Sequence, residues 1–103
     1  MKVVVLGGGG FIGSHLCDLL SSKGHDVNIF DIKKSKYKQN RQKMYVGNIL
    51  DRRKLSLAIK GCDFVYHFAA LVNMDFARSN PFMSAEINIF GTINALLVSK
   101  MHK

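Results

Sequence analysis

The sequence predicts an α/β fold with a doubly wound parallel sheet, and three observations predict it. Short apolar, β-branched runs alternate with stretches of helical periodicity. The first run, Lys2–Leu6, is apolar after its first residue, as a strand covered on both faces should be. Four consecutive glycines, Gly7 to Gly10, then stand between that run and a helical pattern, where a tight strand-to-helix turn belongs.

The elements follow in order. After the glycines, Ile12, Leu16, Leu19 and Leu20 recur at helical spacing and predict a helix with these residues on its packed face; Lys23 and Gly24 end it. Residues 26–30 read as a second strand, with Val27 and Ile29 on one face and Asn28 and Phe30 on the other. A basic loop leads to a third short strand, Met44-Tyr45-Val46. Asp51 is placed to cap a helix that buries Leu55, Ala58 and Ile59 and stops at Gly61. Residues 63–67 form the fourth strand, and Asn80-Pro81 opens a last helix running to about Lys100. Right-handed crossovers turn this βαβαβαβα alternation into a sheet of order 3-2-1-4, incomplete for a doubly wound fold, with the fourth strand at an open edge. Residues 1–103 therefore read as one domain with a modest core.

Composition narrows the class. Half the residues are hydrophobic, as in soluble globular domains, and the run at the N-terminus breaks off at Gly7 without a cleavage-site pattern, so neither a targeting nor a membrane-spanning segment is expected. Cys17 and Cys62 are isolated, with no CxxC pair and no zinc-ligand spacing, which leads us to expect reduced thiols, no metal site and a cytoplasmic protein. The net charge of +8 raises the question of a polyanionic partner. Six of the fifteen basic residues, Lys33, Lys34, Lys36, Lys38, Arg41 and Lys43, crowd one stretch with a single aromatic and no apolar period. That pattern fits a solvated loop better than a nucleic-acid surface, so no nucleic-acid partner is expected.

The glycine run carries the chemistry. With Phe11-Ile12-Gly13 it fits two registers, Gly8-x-Gly10-x-x-Gly13 and Gly7-x-x-Gly10-x-x-Gly13. Either brings backbone close to a pyrophosphate and aims the first helical amides at it, while Gly13 lets the helix approach the sheet. A phosphate loop of the NTPase type is excluded because no Gly-Lys-Ser/Thr follows. Asp31 ends the second strand eighteen residues after Gly13, where a carboxylate accepts the hydroxyls of the adenosine ribose. A 2′-phosphate about 4 Å away would be repelled by roughly 4 kcal/mol at an effective dielectric of 20, so NAD is favoured over NADP, although Lys33 and Lys34 would soften the difference. The competing reading of Asp31 is a turn residue at a strand end.

Four segments in this order, Gly7 to Gly13, Asp31, Gly47-Asn48-Ile49-Leu50-Asp51, and His67-Phe68-Ala69-Ala70 with the later Asn88-Ile89-Phe90-Gly91-Thr92, make the chain resemble the extended short-chain dehydrogenases of the NAD-dependent epimerase/dehydratase type, which act on sugar nucleotides. The resemblance implies that the chain corresponds to the N-terminal, NAD-binding Rossmann portion of such an enzyme, with the substrate domain absent. It implies cofactor contacts from Gly7, Gly10, Phe11, Ile12, Gly13, Asp31, Asn48, Ile49, Phe68, Ala69 and Ala70. Where the family usually has an Asp against the adenine amino group, this chain has Asn48, whose carbonyl oxygen is still an acceptor. His67, His15 and Cys62 are read as structural, and Asn88 as the donor or acceptor of a buried structural hydrogen bond. The family's chemistry uses a Tyr with a Lys four residues on. Four residues after Tyr37, Tyr45 and Tyr66 come Arg41, Ile49 and Ala70, so no catalytic residue is assigned.

The last helix shows two apolar stripes. Phe82, Ala85, Ile89, Ile93 and Leu96 form one; Met83, Ile87, Phe90, Leu97 and Met101 form the other. One is expected to cover the sheet and the other to meet a partner, with homodimerisation through Met83, Ile87 and Phe90 as the expectation. Functionally the sequence points to the NAD-binding portion of an epimerase or dehydratase, with a sugar nucleotide bound only by the complete enzyme. The alternative is a non-enzymatic dinucleotide-binding regulatory module of the same fold.

Overall fold

A computed structural model describes residues 1–69 and 78–102. Four parallel strands, β1 (Lys2–Leu6), β2 (Asp26–Asp31), β3 (Gln42–Val46) and β4 (Phe64–His67), lie in the order β3-β2-β1-β4. Helix α1 (Phe11–Ser22) joins β1 to β2, and α2 (Arg52–Ile59) joins β3 to β4. The register pairs Leu6 with Phe30 and with His67, so the C-terminal ends of β1, β2 and β4 finish level, and Phe30 faces Tyr45 in turn. Strand order and fold are those expected. One connection departs from strict alternation: residues 32–41 between β2 and β3 contain no helix.

Side-chain alternation along the strands builds two cores. Val3, Val5, Val27 and Ile29 pack under α1 with Cys17 and Leu20. Val4, Leu6 and Phe30 pack on the opposite face with Leu55, Ala58, Ile59, Ala95 and Val98. Each Val, Leu, Ile or Phe side chain among them contributes about 1.5–3 kcal/mol when fully buried. Asn28, on the second face, is satisfied by donating to the Ala58 carbonyl at 3.0 Å. The cap of α2 is as expected, with Asp51 accepting from the amides of Arg53 and Lys54.

Helix α1 is rotated from its expected phase. Gly13, Ser14, Cys17 and Leu20 face the sheet, whereas Ile12 is 66% exposed and Leu19 is also exposed. The first turn decides this. Gly13 lies against the Gly7 carbonyl so closely that any side chain there would overlap it, and that contact turns Ile12 outward. Strand β3 begins two residues earlier than expected, because Gln42 is buried and anchors the basic loop to α1: its Nε2 donates to Asp18 Oδ1 at 3.2 Å and Ser21 Oγ at 3.0 Å.

The last helical stretch is three segments end to end: α3 (Pro81–Ala85), a single wide turn of π-helix over Glu86–Phe90, and α4 (Gly91–Met101). Neither expected apolar stripe covers the sheet. Phe82, Met83, Ile89, Phe90, Ile93, Leu96, Leu97 and Met101 are all exposed, and the line that packs inward is Gly91, Asn94, Ala95 and Val98. Small residues let the helix axis approach the sheet, so the bulky ones are left on the outer faces. Ile87, expected at a dimer contact, is half-buried against the second core instead. Asn88 is exposed, and the buried asparagine of this helix is Asn94. Pro81–Met101, with mean hydropathy 1.3, is long and apolar enough to cross a membrane by length and composition only; here its small-residue line packs inward.

Candidate cofactor cleft

A cleft of about 540 Å³ opens at the C-terminal ends of the strands. Its floor is the turn after β1. Gly7 adopts φ +86°, and a Cβ on it would lie 2.8 Å from the Ala69 nitrogen. Only glycine satisfies both the dihedral and the approach. The Gly7 amide donates to the Phe30 carbonyl at 2.7 Å, which ties the turn to β2. The Gly10 amide donates back to the Gly7 carbonyl at 3.2 Å and closes the loop.

Helix α1 then starts with no acid in its first turn and no side-chain cap, because Gly10 is its N-cap. Its first backbone bond is from Ser14 N–H to the Gly10 carbonyl, so the amides of Phe11, Ile12 and Gly13 precede the ladder. Those donors and the positive end of the helix dipole are unmatched by any acidic side chain of that turn, the arrangement that suits an anion. A Cβ at Gly10 would meet nothing nearer than the Gly7 oxygen at 3.5 Å, so the space above it is open.

Asp31 stands beside this loop and does two things at once. Its Oδ1 accepts from the Ile32 amide at 2.7 Å, which is the turn role weighed from the sequence. Its Oδ2 accepts from the Gly9 amide at 3.0 Å, linking β2 to the glycine turn. A Cβ at Gly9 would sit 2.9 Å from that oxygen. Each carboxylate oxygen keeps acceptor capacity for a hydroxyl in the cleft.

Ten of the eleven residues proposed from the sequence line this one cleft: Gly7, Gly10, Phe11, Ile12, Gly13, Asp31, Asn48, Ile49, Phe68 and Ala69. Ala70 lies outside the described residues. Gly8 does not line it. It packs down instead, where a Cβ would be 3.0 Å from Cys17 Sγ and from the Val5 carbonyl, so Gly7, Gly10 and Gly13 form the register that faces the cleft. Phe30, Ile32, Gly47 and Ile87 also line it and were not foreseen. Gly47 carried a signal, since its amide donates to the Asp31 carbonyl at 2.9 Å where a turn glycine would be sought. Ile87 carried none, because only the packing of the last helix brings it there.

Asn48 is used differently from expectation. Its Oδ1, the atom expected to accept from an adenine amino group, already accepts from the Leu50 amide at 2.9 Å. One acceptor site of that oxygen remains.

The other groups weighed lie elsewhere. His67 Nε2 is 2.8 Å from Thr92 Oγ1, whose hydroxyl donates to the Asn88 carbonyl at 2.7 Å, so His67 is the donor of the pair. Burial lowers its pKa from the ordinary imidazole value. It joins β4 to the last helix through this bond. The rings of His15 and Phe11 make a T-shaped contact with centroids 4.8 Å apart. Burial holds the Cys17 thiol up at about 12 and raises that of Cys62, which leaves both thiols protonated and poor nucleophiles.

A glycine turn opening an uncapped helix, with an acid ending the next strand of a 3-2-1-4 parallel sheet, defines a Rossmann-type dinucleotide-binding unit. Comparison with known proteins gives the family. The NAD dependent epimerase/dehydratase family matches residues 3–103, and the chain belongs to it. NAD, the cofactor expected from the sequence, is the one in that family's name. Among relatives, a putative UDP-glucose 4-epimerase of Methanocaldococcus jannaschii is 35% identical over 98 residues, covering 91% of this chain and 32% of the relative. Human sterol-4-alpha-carboxylate 3-dehydrogenase, decarboxylating, is 29% identical over 99 residues, covering 96% of this chain and 26% of the enzyme. Of solved structures, the UDP-glucose 4-epimerase of Thermus thermophilus in complex with NAD superposes with a TM-score of 0.90 at 26% identity, covering 99% of this chain and 34% of that one. The Thermotoga maritima UDP-glucose 4-epimerase with UDP-glucose gives 0.91 at 28% identity, covering 99% and 35%. The chain thus spans about a third or less of the length of these relatives.

Proposed function

We propose that this chain is the NAD-binding portion of an oxidoreductase of the sugar-nucleotide epimerase or dehydratase kind. The observation that carries the reading is convergence: the glycine turn, Asp31, the Asn48-Ile49 turn and the Phe68-Ala69 segment, far apart in sequence, line a single cleft. The amides at the start of α1 hold the diphosphate. Asp31 accepts the adenosine ribose hydroxyls and disfavours a 2′-phosphate. Ile49 forms an apolar wall on the β3 side, and Phe68 and Ala69 close the β4 side. Bound NAD supplies an acceptor for a hydride from a sugar carbon.

Three features support the finer reading. Phe11 and Ile12 at the cleft mouth are exposed apolar side chains, which a bound cofactor would cover. No Tyr-x-x-x-Lys occurs in these residues, so the proton-transfer pair of the family's chemistry is assigned to the remainder of a complete enzyme. The exposed Phe82, Met83, Ile89 and Phe90 support the reading of the last helix as a self-association surface, and sedimentation as a monomer at tens of micromolar would remove that element.

Calorimetric titration with NAD and NADP tests the central claim. Heat and a thermal shift with NAD are expected, with NADP weaker by roughly tenfold or more given the repulsion at Asp31. A folded sample that shows neither heat nor shift with NAD overturns the assignment.

A further inference from the structure

The β3 side of the cleft is a turn, and its shape is set from the far end of the chain. Ile49 lines the cleft and is also part of the core, at 4% exposure. Two residues of α4 bear on it. Gly91 lies so close that a Cβ there would be 2.7 Å from Ile49 Cγ2. Asn94, only 6% exposed, donates from Nδ2 to the Ile49 carbonyl at 3.1 Å. Its Oδ1 accepts from Arg52 Nε at 2.9 Å. That second bond fixes the carboxamide, because arginine has donors only and must face the oxygen. The NH2 group is thereby committed to Ile49. No other short side chain supplies an acceptor to Arg52 and a donor to a carbonyl in one plane: aspartate would set two acceptors against each other, and leucine would leave the carbonyl buried and unpaired.

The turn itself is closed on its other side. The Leu50 amide donates to Asn48 Oδ1 at 2.9 Å, and the Asp51 amide to the Asn48 carbonyl at 2.8 Å. Those bonds fix residues 48–51 relative to one another, whereas Asn94 ties them to α4 and to Arg52 of α2. We infer that Asn94, clamped by Arg52, is a positioning residue for the adenosine side of the cofactor cleft. This rests on the NAD reading, because Asp31 at the end of β2 marks the ribose of the adenosine half and the turn after β3 is its neighbour on that side.

Four proteins test it: the unaltered chain, Asn94→Asp, Arg52→Ala and Val98→Ala. Val98 is buried in the same core from the same helix and makes no contact with the cleft, so its variant reports loss of packing alone. Each is titrated with NAD and with AMP, the adenosine half, well below its own Tm. Amide hydrogen exchange is read without ligand. We expect Asn94→Asp to weaken NAD and AMP about tenfold and to speed exchange at Leu50 and Asp51, with Val98→Ala lowering Tm at unchanged affinity and exchange there. Arg52 is exposed, so Arg52→Ala folds and carries the test if Asn94→Asp does not; its expected loss is about threefold. Asn94→Asp and Arg52→Ala matching Val98→Ala in affinity and exchange would overturn the inference. An unaltered chain that binds neither ligand overturns the cofactor reading instead, and the ligand-free exchange then still decides whether Asn94 holds the turn.

Discussion

The first βαβ unit and the last helix use small residues in opposite ways. From Lys2 to Asp31 the bulky side chains of the strands go inward and three glycines of the turn face the cleft: Val3, Val4, Val5 and Leu6 are buried while Gly7, Gly10 and Gly13 line the cleft. In Pro81–Met101 the bulky side chains go outward, Phe82 being 87% exposed, and the buried line is Gly91, Asn94, Ala95 and Val98. Hydrophobicity decides what faces inward where a strand is sandwiched. Where a helix must approach a sheet and a cleft wall closely, side-chain volume decides it.

Gly13 and Gly91 put that contrast to its hardest test. A methyl at Gly13 would collide with the Gly7 carbonyl and come within 2.9 Å of Gly8 Cα, both backbone atoms of the turn itself. Overpacking of this kind costs about 1–3 kcal/mol, and here it displaces the amides that hold the anion, so Gly13→Ala should lose NAD binding by roughly 100-fold in a titration. Binding within threefold of the unaltered chain would mean that the turn does not need its close contact. At Gly91 the nearest obstacle is the Cγ2 of Ile49, a side-chain rather than a backbone atom, on a residue that is itself buried. Alanine also gains about 0.8–1.0 kcal/mol of helix propensity over glycine, which offsets much of a 1–3 kcal/mol clash. Gly91→Ala should therefore cost at most about 2 kcal/mol in denaturant unfolding, and a stabilised variant would show that closeness at this site is not needed.

Asn48→Asp sharpens the comparison on the cleft side. Aspartate keeps the bond to the Leu50 amide through one oxygen and offers the second to the cleft. A charged acceptor is stronger than a neutral one by about 1 kcal/mol, so NAD should bind roughly fivefold tighter. Unchanged or weaker binding would place the base away from this turn.

These contrasts also mark what could be read without the structure. The strand order, the glycine turn and Asp31 were legible from local rules: a β-branched run, glycines at a strand-to-helix turn and an acid ending a strand. Asn48, Ile49, Phe68 and Ala69 were legible only through the family resemblance. Helix phase was less legible. Ile12 and Leu19 were expected inward on hydropathy, yet the contact of Gly13 with Gly7 sets the rotation of α1. The last helix failed more completely. Its inward line contains one strongly hydrophobic residue, Val98, and its phase is altered by the π turn at Glu86–Phe90, which no periodicity of 3.6 describes. Ile87 in the cleft and Asn94 behind it depend on both of those features, so neither had a signal in its own neighbourhood.

The smallest expected effect lies where the two regions meet. His67 on β4 donates to Thr92 on α4, and burial depresses its pKa, so the folded protein resists its protonation more than the unfolded chain does. For a histidine depressed in this way the contribution to stability is complete above the unfolded pKa of about 6.5, and it is lost as pH falls through the lower folded value. Protonation does not break the bond, since Nε2 remains a donor in either state and Thr92 remains the acceptor. Only the cost of charging a partly buried ring is added. Asp63 and His102 line the same groove, so the informative quantity is a difference. His67→Gln keeps a donor without the titration. Tm measured at pH 7.5 and pH 5 should fall slightly more for the unaltered chain than for His67→Gln, and equal slopes would mean that the imidazole is as well solvated in the fold as outside it.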